Sequence, residues 1–552
     1  MTDLAFHARQ SFRRRVINIL GPSLGTALEW YDFFLYGAVA SVIASHFFSA
    51  ADPDVAFIYS LATFATGFAV RPIGAAIFGS IGDRWGRKRT FLLTMTLMGV
   101  ATVAIGLIPG QDVIGAAAPL LLIATRLVQG LAMGGEYGGA IVYVAEQAPP
   151  RSRGLHTSFV QITATAGLVL ALLAVFGVRS LVGEEAFHNW GWRIPFLLSA
   201  VLFLVSIWVR MHIHESAAFA ALAERGAISK APLREALGEP GNLGRMALAL
   251  FGLLAGMTCV WYTSQFYALF YLERVVGLDG ATTSLLVATA LVIACPGFVF
   301  FGWLSDRIGR KPVILTGCVL AALTYPALFG MLADAANPQR AAAIARAPVV
   351  VTADARACTS QFDLLGTGRV SAACDVARSA LAKAGIPYVL RDTAQDRVRV
   401  TIGAVSVVVN DGRGLDAAGL AAAKSAFAGT LGTALKSQGY PGKASAGSID
   451  RARVVLILVV MMIYATMCYG PIAAALCELF PTRLRYTSVS LPYNLATGVI
   501  GGFLPASAFA IVAATGDPQS GLWYPISFIA ITVLIGGLFW KDRHGHLLAS
   551  QD

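Results

Sequence analysis

The sequence predicts an all-α membrane protein of twelve spanning helices, six on each side of a polar linker. A small α+β soluble insert separates the ninth helix from the tenth. Three observations carry this. The 552 residues are 56% hydrophobic and only 13% charged, about half the charge of an ordinary soluble domain. Apolar runs near the roughly 20 residues needed to cross a bilayer recur along the chain. One ten-residue motif occurs twice, once in each half. Long apolar runs joined by short polar turns indicate helices, because the strands of a barrel would alternate every second residue.

In order, apolar spans lie near 17–46, 55–80, 90–109, 114–145, 156–179 and 193–212, then 245–272, 281–303, 312–333, 453–477, 486–513 and 520–540. The domain reading is 1–212 for the first six helices, 213–244 for a cytoplasmic linker, 245–333 for helices seven to nine, 334–451 for the insert, and 452–552 for helices ten to twelve with a short tail. The N-terminus lacks the short apolar region and small-residue cleavage site of a signal peptide, so the first helix is expected to be retained.

The formal charge of +11 does not point to nucleic acid, because the bases cluster in short loops. Arg13, Arg14 and Arg15 precede the first span, Arg84 to Arg89 follow the second, Arg151 and Arg153 the fourth, Arg307 to Lys311 the eighth, and Arg483 and Arg485 the tenth. With twelve crossings all lie on one side. Positive residues stay inside, so both termini are expected in the cytoplasm of a bacterial-type inner membrane, with the insert in the periplasm.

Two motifs repeat. "GSIGDRWGRK" at Gly79–Lys88 matches "GWLSDRIGRK" at Gly302–Lys311, an offset of 223 residues. "EQAPPRSR" at Glu146–Arg153 matches "ELFPTRLR" at Glu478–Arg485, an offset of 332. The difference locates about 109 extra residues in the second half, where the composition changes. Gly79 and Gly86 suit a tight turn between helices, and Asp83 is placed to cap the helix that follows it. Arg84, Arg87, Arg307 and Arg310, with Asp306 beside them, are expected to bridge to Glu146 and Glu478. Such a latch, formed when the cytoplasmic side is closed, is a two-state element.

The spans also hold charge. In "ALEWYDFFLYG", Glu29 and Asp32 are three apart on one helical face, which Tyr36 continues. Arg71 lies on the second helix; Arg126, Gln129 and Glu136 lie on the fourth. Charge at this depth costs at least roughly 2.5–3.5 kcal/mol per residue, so it marks a cavity, a pairing or a path. Asp32, then Glu136 and Glu29, are the candidate proton-coupling residues. Arg71 and Arg126 match a carboxylate with a bidentate fork. Further candidates for substrate contact are Gln161 on the fifth helix, Trp261, Tyr262 and Gln265 on the seventh, and Tyr493 and Asn494 on the eleventh. The alternative roles are a permanent ion pair that orders the helices for the acids, tuning of the proton site for Arg71 and Arg126, and packing or interface anchoring for the aromatic and polar side chains.

In the insert, "APVVVTAD", "IPYVLRD", "VRVTIG" and "VSVVVND" read as strands, and two alanine-rich stretches read as helices. A βαββα module is the simplest account. Cys358 and Cys374 either form a disulfide in an oxidising compartment or remain free thiols. The other five cysteines show no metal-ligand spacing.

The paired D-R-x-G-R-K turns, the two halves and the twelve spans resemble the major facilitator superfamily. "GTALEWYDFFLYG", "RLVQGLAMGGEYGG" and "GWRIPFLLS" are similar to its metabolite:proton symporters, a group with carriers for proline and betaine, ketoglutarate, citrate and shikimate. The resemblance covers the helices, not the insert. It implies two six-helix bundles around a central site, alternating access, and a proton as the only coupling agent, with no cofactor. The expected activity is import of a small organic acid or zwitterion. A uniporter or exchanger on the same fold, or a nutrient sensor with the insert as receptor, stays open. No nucleotide loop, metal cluster or serine elbow suggests an enzyme. The expected partners are the small-molecule substrate and the lipid bilayer, with the insert a candidate contact for a periplasmic partner.

Overall fold

The computed structural model describes residues 26–49, 53–211, 224, 232–354, 358, 371–393, 397–442, 444, 447–515, 519–542 and 545. Among them, eight helices are long and apolar enough to cross a membrane, from Ala62–Trp85 to Ser520–Phe539. A ninth is counted if Glu184–Gly191 and Arg193–Trp208, bent by 62° at their junction, form one span. The rest of the helical chain falls short on length or apolarity, as Leu92–Leu107 does, or is broken: the helix over 26–38 is followed by Ala40–Phe47. The expected start of the first span, near residue 17, lies outside the described residues.

Helix contacts are made close by glycine. A methyl added at Gly134 would collide with the Arg71 carbonyl oxygen. The bare backbone of Ala117–Gln147 thus lies directly against the helix Arg71–Trp85, as small residues allow in lipid. Gly86 and Gly309, with φ of 101° and 100°, make the equivalent turns of the two repeats in a backbone region that L side chains rarely enter.

The candidate span Asn242–Glu273 is among the most deeply buried of the eight and continues as helix to Val276. It contains three π-helical segments, Leu250–Leu254, Thr263–Tyr267 and Tyr271–Val276. It starts three residues before the sequence-predicted boundary at 245, because Gly241 takes up a left-handed conformation and begins the helix there.

The insert contains β1 (Val349–Ala353), β2 (Tyr388–Asp392), β3 (Arg399–Ile402) and β4 (Val405–Val408) in the order β2-β1-β3-β4. β1 and β2 are parallel and joined through the helix Ala373–Lys383, as a parallel pair requires. β3 and β4 are an antiparallel hairpin turned at Gly403 (φ 56°). The path is therefore βαβββα rather than the expected βαββα: the third and fourth valine-rich runs are two strands of one hairpin. Val351, Val400, Ile402, Leu381 and Leu431 form a core separate from that of the spans. Cys358 and Cys374 are joined by a disulfide.

Candidate functional site

The repeated motifs meet at one end of the helices. Asp83 accepts from the backbone N–H of Thr487 at 2.9 Å and from its hydroxyl at 2.6 Å. Asp306 accepts from the N–H groups of Gly154 and Leu155, both at 2.8 Å. Each aspartate thus caps a helix start of the opposite half, Arg485–Leu495 or Arg153–Val182, where free N–H groups and the helix dipole favour an anion. This corrects the expectation that Asp83 caps the helix next in sequence.

The ion pairs are also exchanged between halves. Arg153 pairs with Glu478 at 2.6 Å, and Arg485 with Glu146 at 3.2 Å. Arg310 reaches Asp306 at 2.6 Å and Glu478 at 3.2 Å within its own half. Arg84 and Arg307, expected in the latch, are exposed instead; Arg307 lies 4.1 Å over the Trp303 ring. Each follows its aspartate directly on a helix, so it points away from the buried face. The Arg87 side chain lies outside the described residues. Gly79 packs against the backbone of Thr487, with room for little more than its hydrogen. The linker joins this latch through Arg483, which pairs with Glu235 at 3.2 Å and Glu239 at 3.7 Å.

Further along the spans, the candidate residues divide into two clusters. The first belongs to the N-terminal half. Asp32 is buried and accepts from the Ser199 hydroxyl at 2.6 Å; Thr102 faces the same carboxylate. Thr102 also accepts from Gln129 Nε2 at 2.7 Å, and Gln129 Oε1 accepts from Arg126 at 2.6 Å. The Arg126 guanidinium lies over Phe33, Tyr36 and Phe64 at 4.7, 4.5 and 5.1 Å. Tyr36 donates to the Ser60 carbonyl at 3.2 Å. A line of polar groups therefore runs from Arg126 through Gln129 and Thr102 to Asp32. No ion pair reaches Asp32 or Arg126 among the described residues, so at these two side chains the alternative of a permanent pair with a described residue is not what the structure shows. Glu29 is buried on the same helix. The Glu136 side chain lies outside the described residues.

The second cluster joins the halves. A narrow cavity is lined by Trp30, Met257, Thr258, Trp261, Tyr262, Tyr469, Tyr493 and Thr497. Arg71 sits at its edge, 5.6 Å from the Trp30 ring and beside Tyr262. Its Nε donates to Asn494 Oδ1 at 3.1 Å, while Nη1 and Nη2 make no hydrogen bond among the described residues. Asn494 is held in turn by donating to the carbonyls of Gly134 and Ser490. Tyr493 stacks on Tyr137 at 3.7 Å and shares a 2.8 Å hydrogen bond with Tyr469. Gln161 lies behind this wall, accepting from Tyr137 at 2.9 Å. Trp261 Nε1 has no hydrogen-bond partner among the described residues; neither has Gln265 Oε1, which is buried outside the cavity lining. The site has the parts for a small carboxylate: a guanidinium whose two Nη groups make no hydrogen bond among the described residues, buried polar atoms and aromatic walls.

Sequence reasoning passed over Trp30, Tyr137, Tyr469, Ser199 and Thr102. Trp30 and Tyr137 stand inside the quoted helix-one and helix-four stretches, where nothing in the sequence sets them apart from the other aromatics of the spans. The signature residues also have structural work. Tyr31 donates to the Pro195 carbonyl at 2.8 Å, and Arg193 donates to the carbonyls of Gly106 and Ile108.

Residues 23–356 match the Major Facilitator Superfamily. The shikimate transporter of Escherichia coli K12 is 40% identical over 315 residues, covering 55% of this chain and 70% of that protein. The metabolite transport protein YhjE of the same organism is 38% identical over 334 residues, covering 58% and 73%. Its proline/betaine transporter is 36% identical over 320 residues, covering 56% and 63%. Among solved structures, the proton:xylose symporter XylE bound to 6-bromo-6-deoxy-D-glucose superposes with a TM-score of 0.61 over 97% of this chain and 98% of that one; at 16% identity this is a likeness of fold alone. The chain belongs to the Major Facilitator Superfamily, among its metabolite transporters.

Proposed function

We propose that this protein is a proton-coupled symporter that imports a small organic acid or zwitterionic metabolite by alternating access. With the twelve crossings expected from the sequence, both termini and the latch would lie in the cytoplasm and the insert in the periplasm. The observation that carries the reading is Asp32: a buried carboxylate held by a hydroxyl and an approaching threonine, with no ion pair among the described residues. Such a group takes up or releases a proton as its surroundings change, where a permanently paired one would not. The line through Thr102 and Gln129 to Arg126 connects it to a cation whose place shifts as the helices move. Arg71 takes the carboxylate of the substrate, and the aromatic walls take its body. The cytoplasmic latch holds the state seen in the structure; its release opens the site inward.

The test is uptake by purified protein in liposomes, screened with carboxylates and betaines under an inward proton gradient, alongside Asp32→Asn. A solute that accumulates only with the gradient, and that Asp32→Asn still exchanges but no longer concentrates, supports the reading. Uptake indifferent to the gradient makes the protein a uniporter or exchanger. Ligand binding without flux is the result a sensor would give.

A further inference from the structure

We propose that the 334–451 insert straps the far end of the helix carrying half of the cavity wall, and that Arg340 and Asn337 are positioning residues for that helix. The inference rests on the chain being an alternating-access carrier, but not on proton coupling or on a particular substrate.

The helix from Asn242 to Val276 ends at Gly277, in the left-handed conformation with φ of 82°, and Leu278 N–H returns to the Leu272 carbonyl at 3.0 Å. The carbonyls of Val275, Val276 and Gly277 still need partners, as the last turn of any helix does. All three are taken by residues of the insert or its two stalks. Arg340 donates to Val275, Asn337 Nδ2 to Val276 at 3.1 Å, and Ala444 N–H to Gly277 at 3.2 Å. Asn337 and Arg340 stand on the outgoing stalk, where Asn337 also caps the helix Pro338–Arg346 by accepting from Arg340 N–H. Ala444 stands on the returning stalk, which Asp450 N–H ties to the Ala335 carbonyl at 3.0 Å. The Arg340 guanidinium is largely buried at a helix C-terminus, where the dipole favours a cation.

The body of the insert reaches the same point. Gly385 (φ 61°) follows the helix Ala373–Lys383 and lies so near the Val275 carbonyl that an added methyl would collide with its oxygen and press tightly on Arg340. That helix begins at Ala373 and Cys374, and the Cys358 disulfide fixes its start. It also packs on the helix Leu504–Thr515.

The strapped helix supplies Met257, Thr258, Trp261 and Tyr262 to the cavity, and its three π-helical segments give it places to bend. At its other end Asn242 donates to the Ser488 hydroxyl at 3.0 Å, one residue beyond the Thr487 that Asp83 holds. One continuous helix therefore runs from the strap to the latch. The neighbouring helix Arg310–Ala336, of 27 residues, sets the distance between them at about 40 Å. By joining the far end to its own half, the strap restrains it from swinging onto the first helix, which it already meets where Phe266 lies 5.5 Å from Phe34. Closure at that end is the movement that accompanies opening at the latch end.

The test is amide hydrogen exchange by mass spectrometry on the full chain in lipid nanodiscs, with no substrate and no gradient. Two peptides are read: 271–279 at the strap, and 485–490 at the latch. Arg340→Ala is expected to speed exchange at both, by about five-fold or more at the latch, the lower end of ordinary coupling between sites. Arg340→Lys, which keeps a cationic donor, is expected to restore part of the latch protection. Asn337→Asp keeps the cap on Arg340 N–H and puts an acceptor in place of the donor to Val276, a negative charge that the helix C-terminus disfavours, and is expected to act in the same direction with a smaller change. A strap peptide that loosens while the latch peptide stays unchanged makes the insert a local prop and overturns the proposal, as does no change at either. If Arg340→Ala does not fold, Asn337→Asp decides by the same criterion. An absence of proton coupling in liposomes leaves both outcomes untouched.

Discussion

The two halves share a motif pair and a helix plan, yet they place their charge differently. Among the described residues, the N-terminal half buries Glu29, Asp32, Arg71 and Arg126 within its spans. The buried charges of the other half, Arg310, Arg340, Glu478 and Arg485, all stand at helix ends. Its contribution to the cavity is Met257, Thr258, Trp261, Tyr262, Tyr469, Tyr493 and Thr497, none of them charged. The repeat therefore conserves the latch, which needs both copies, and divides the interior. On the proposed reading, one half handles protons and ions and the other shapes the space. Arg71, bonded to Asn494 across the division, is where the two meet.

This division breaks first at Asp32. Asp32→Asn keeps the size of the side chain and its contact with Ser199 and removes the titratable group. Gradient-driven accumulation is expected to vanish while counterflow exchange survives. Coupling that persists in this variant would move the proton to another group: to Glu29, which leaves the comparison standing, or to the C-terminal half, which undoes it. The next effect is at the latch. Glu478→Gln leaves the buried guanidiniums of Arg153 and Arg310 without their shared carboxylate, and removing one partner of a buried pair costs about 3–5 kcal/mol. The folded bundles have other contacts, so the cost should fall on the closed latch. Trypsin or a thiol probe directed to the latch end should find it open far more often, with overall melting changed less. The Glu146→Gln change is expected to follow the same course. Arg71→Lys sharpens the comparison: the charge remains, but the fork and the bond to Asn494 go. A charge-assisted hydrogen bond contributes about 1.5–3 kcal/mol, so apparent affinity for a carboxylate should fall roughly 10- to 100-fold. A neutral substrate would show little change, which would sink the carboxylate reading while leaving the division in place.

The sequence made the halves legible because their marks are local. Gly86 and Gly309 are required by a backbone angle, and Asp83 and Asp306 recur at a fixed distance from them. The intramembrane charges were legible for a different reason: a carboxylate such as Asp32 is conspicuous in an apolar run. Partnership was not legible. Arg153 and Arg485 read as loop charges that set orientation, yet they are the cross-half members of the latch. Nothing within either motif says that its arginine will cross to the other half. Arg84 and Arg307 failed as latch residues because adjacent positions on a helix face different ways. Trp30 and Tyr469 were passed over, since only the meeting of helices from both halves turns them into walls. The hairpin of β3 and β4 was visible as two strand runs. Counting them separately depended on Gly403, whose turn is a matter of backbone conformation rather than of composition.

The smallest effect is the most discriminating for the uncharged half. Tyr493 lies against Tyr137 with ring centroids 3.7 Å apart, and its hydroxyl shares a proton bond with Tyr469. Tyr493→Phe keeps the ring and its stacking area and deletes only the oxygen. If this half supplies shape, the loss is that of one neutral hydrogen bond, about 0.5–1.5 kcal/mol, and affinity should weaken by roughly two- to ten-fold. Proton-driven accumulation should then reach the same final ratio as in the unmodified protein, as the proposed coupling through the other half requires. Tyr493→Ala removes the stacking surface as well and should weaken binding further, again without changing that ratio. The accumulation ratio is therefore the quantity to measure beside affinity. A Tyr493→Phe variant that binds normally but no longer concentrates its substrate would place the Tyr469–Tyr493 hydroxyls on the proton path, and the separation of proton handling from cavity shape between the two halves would have to be given up.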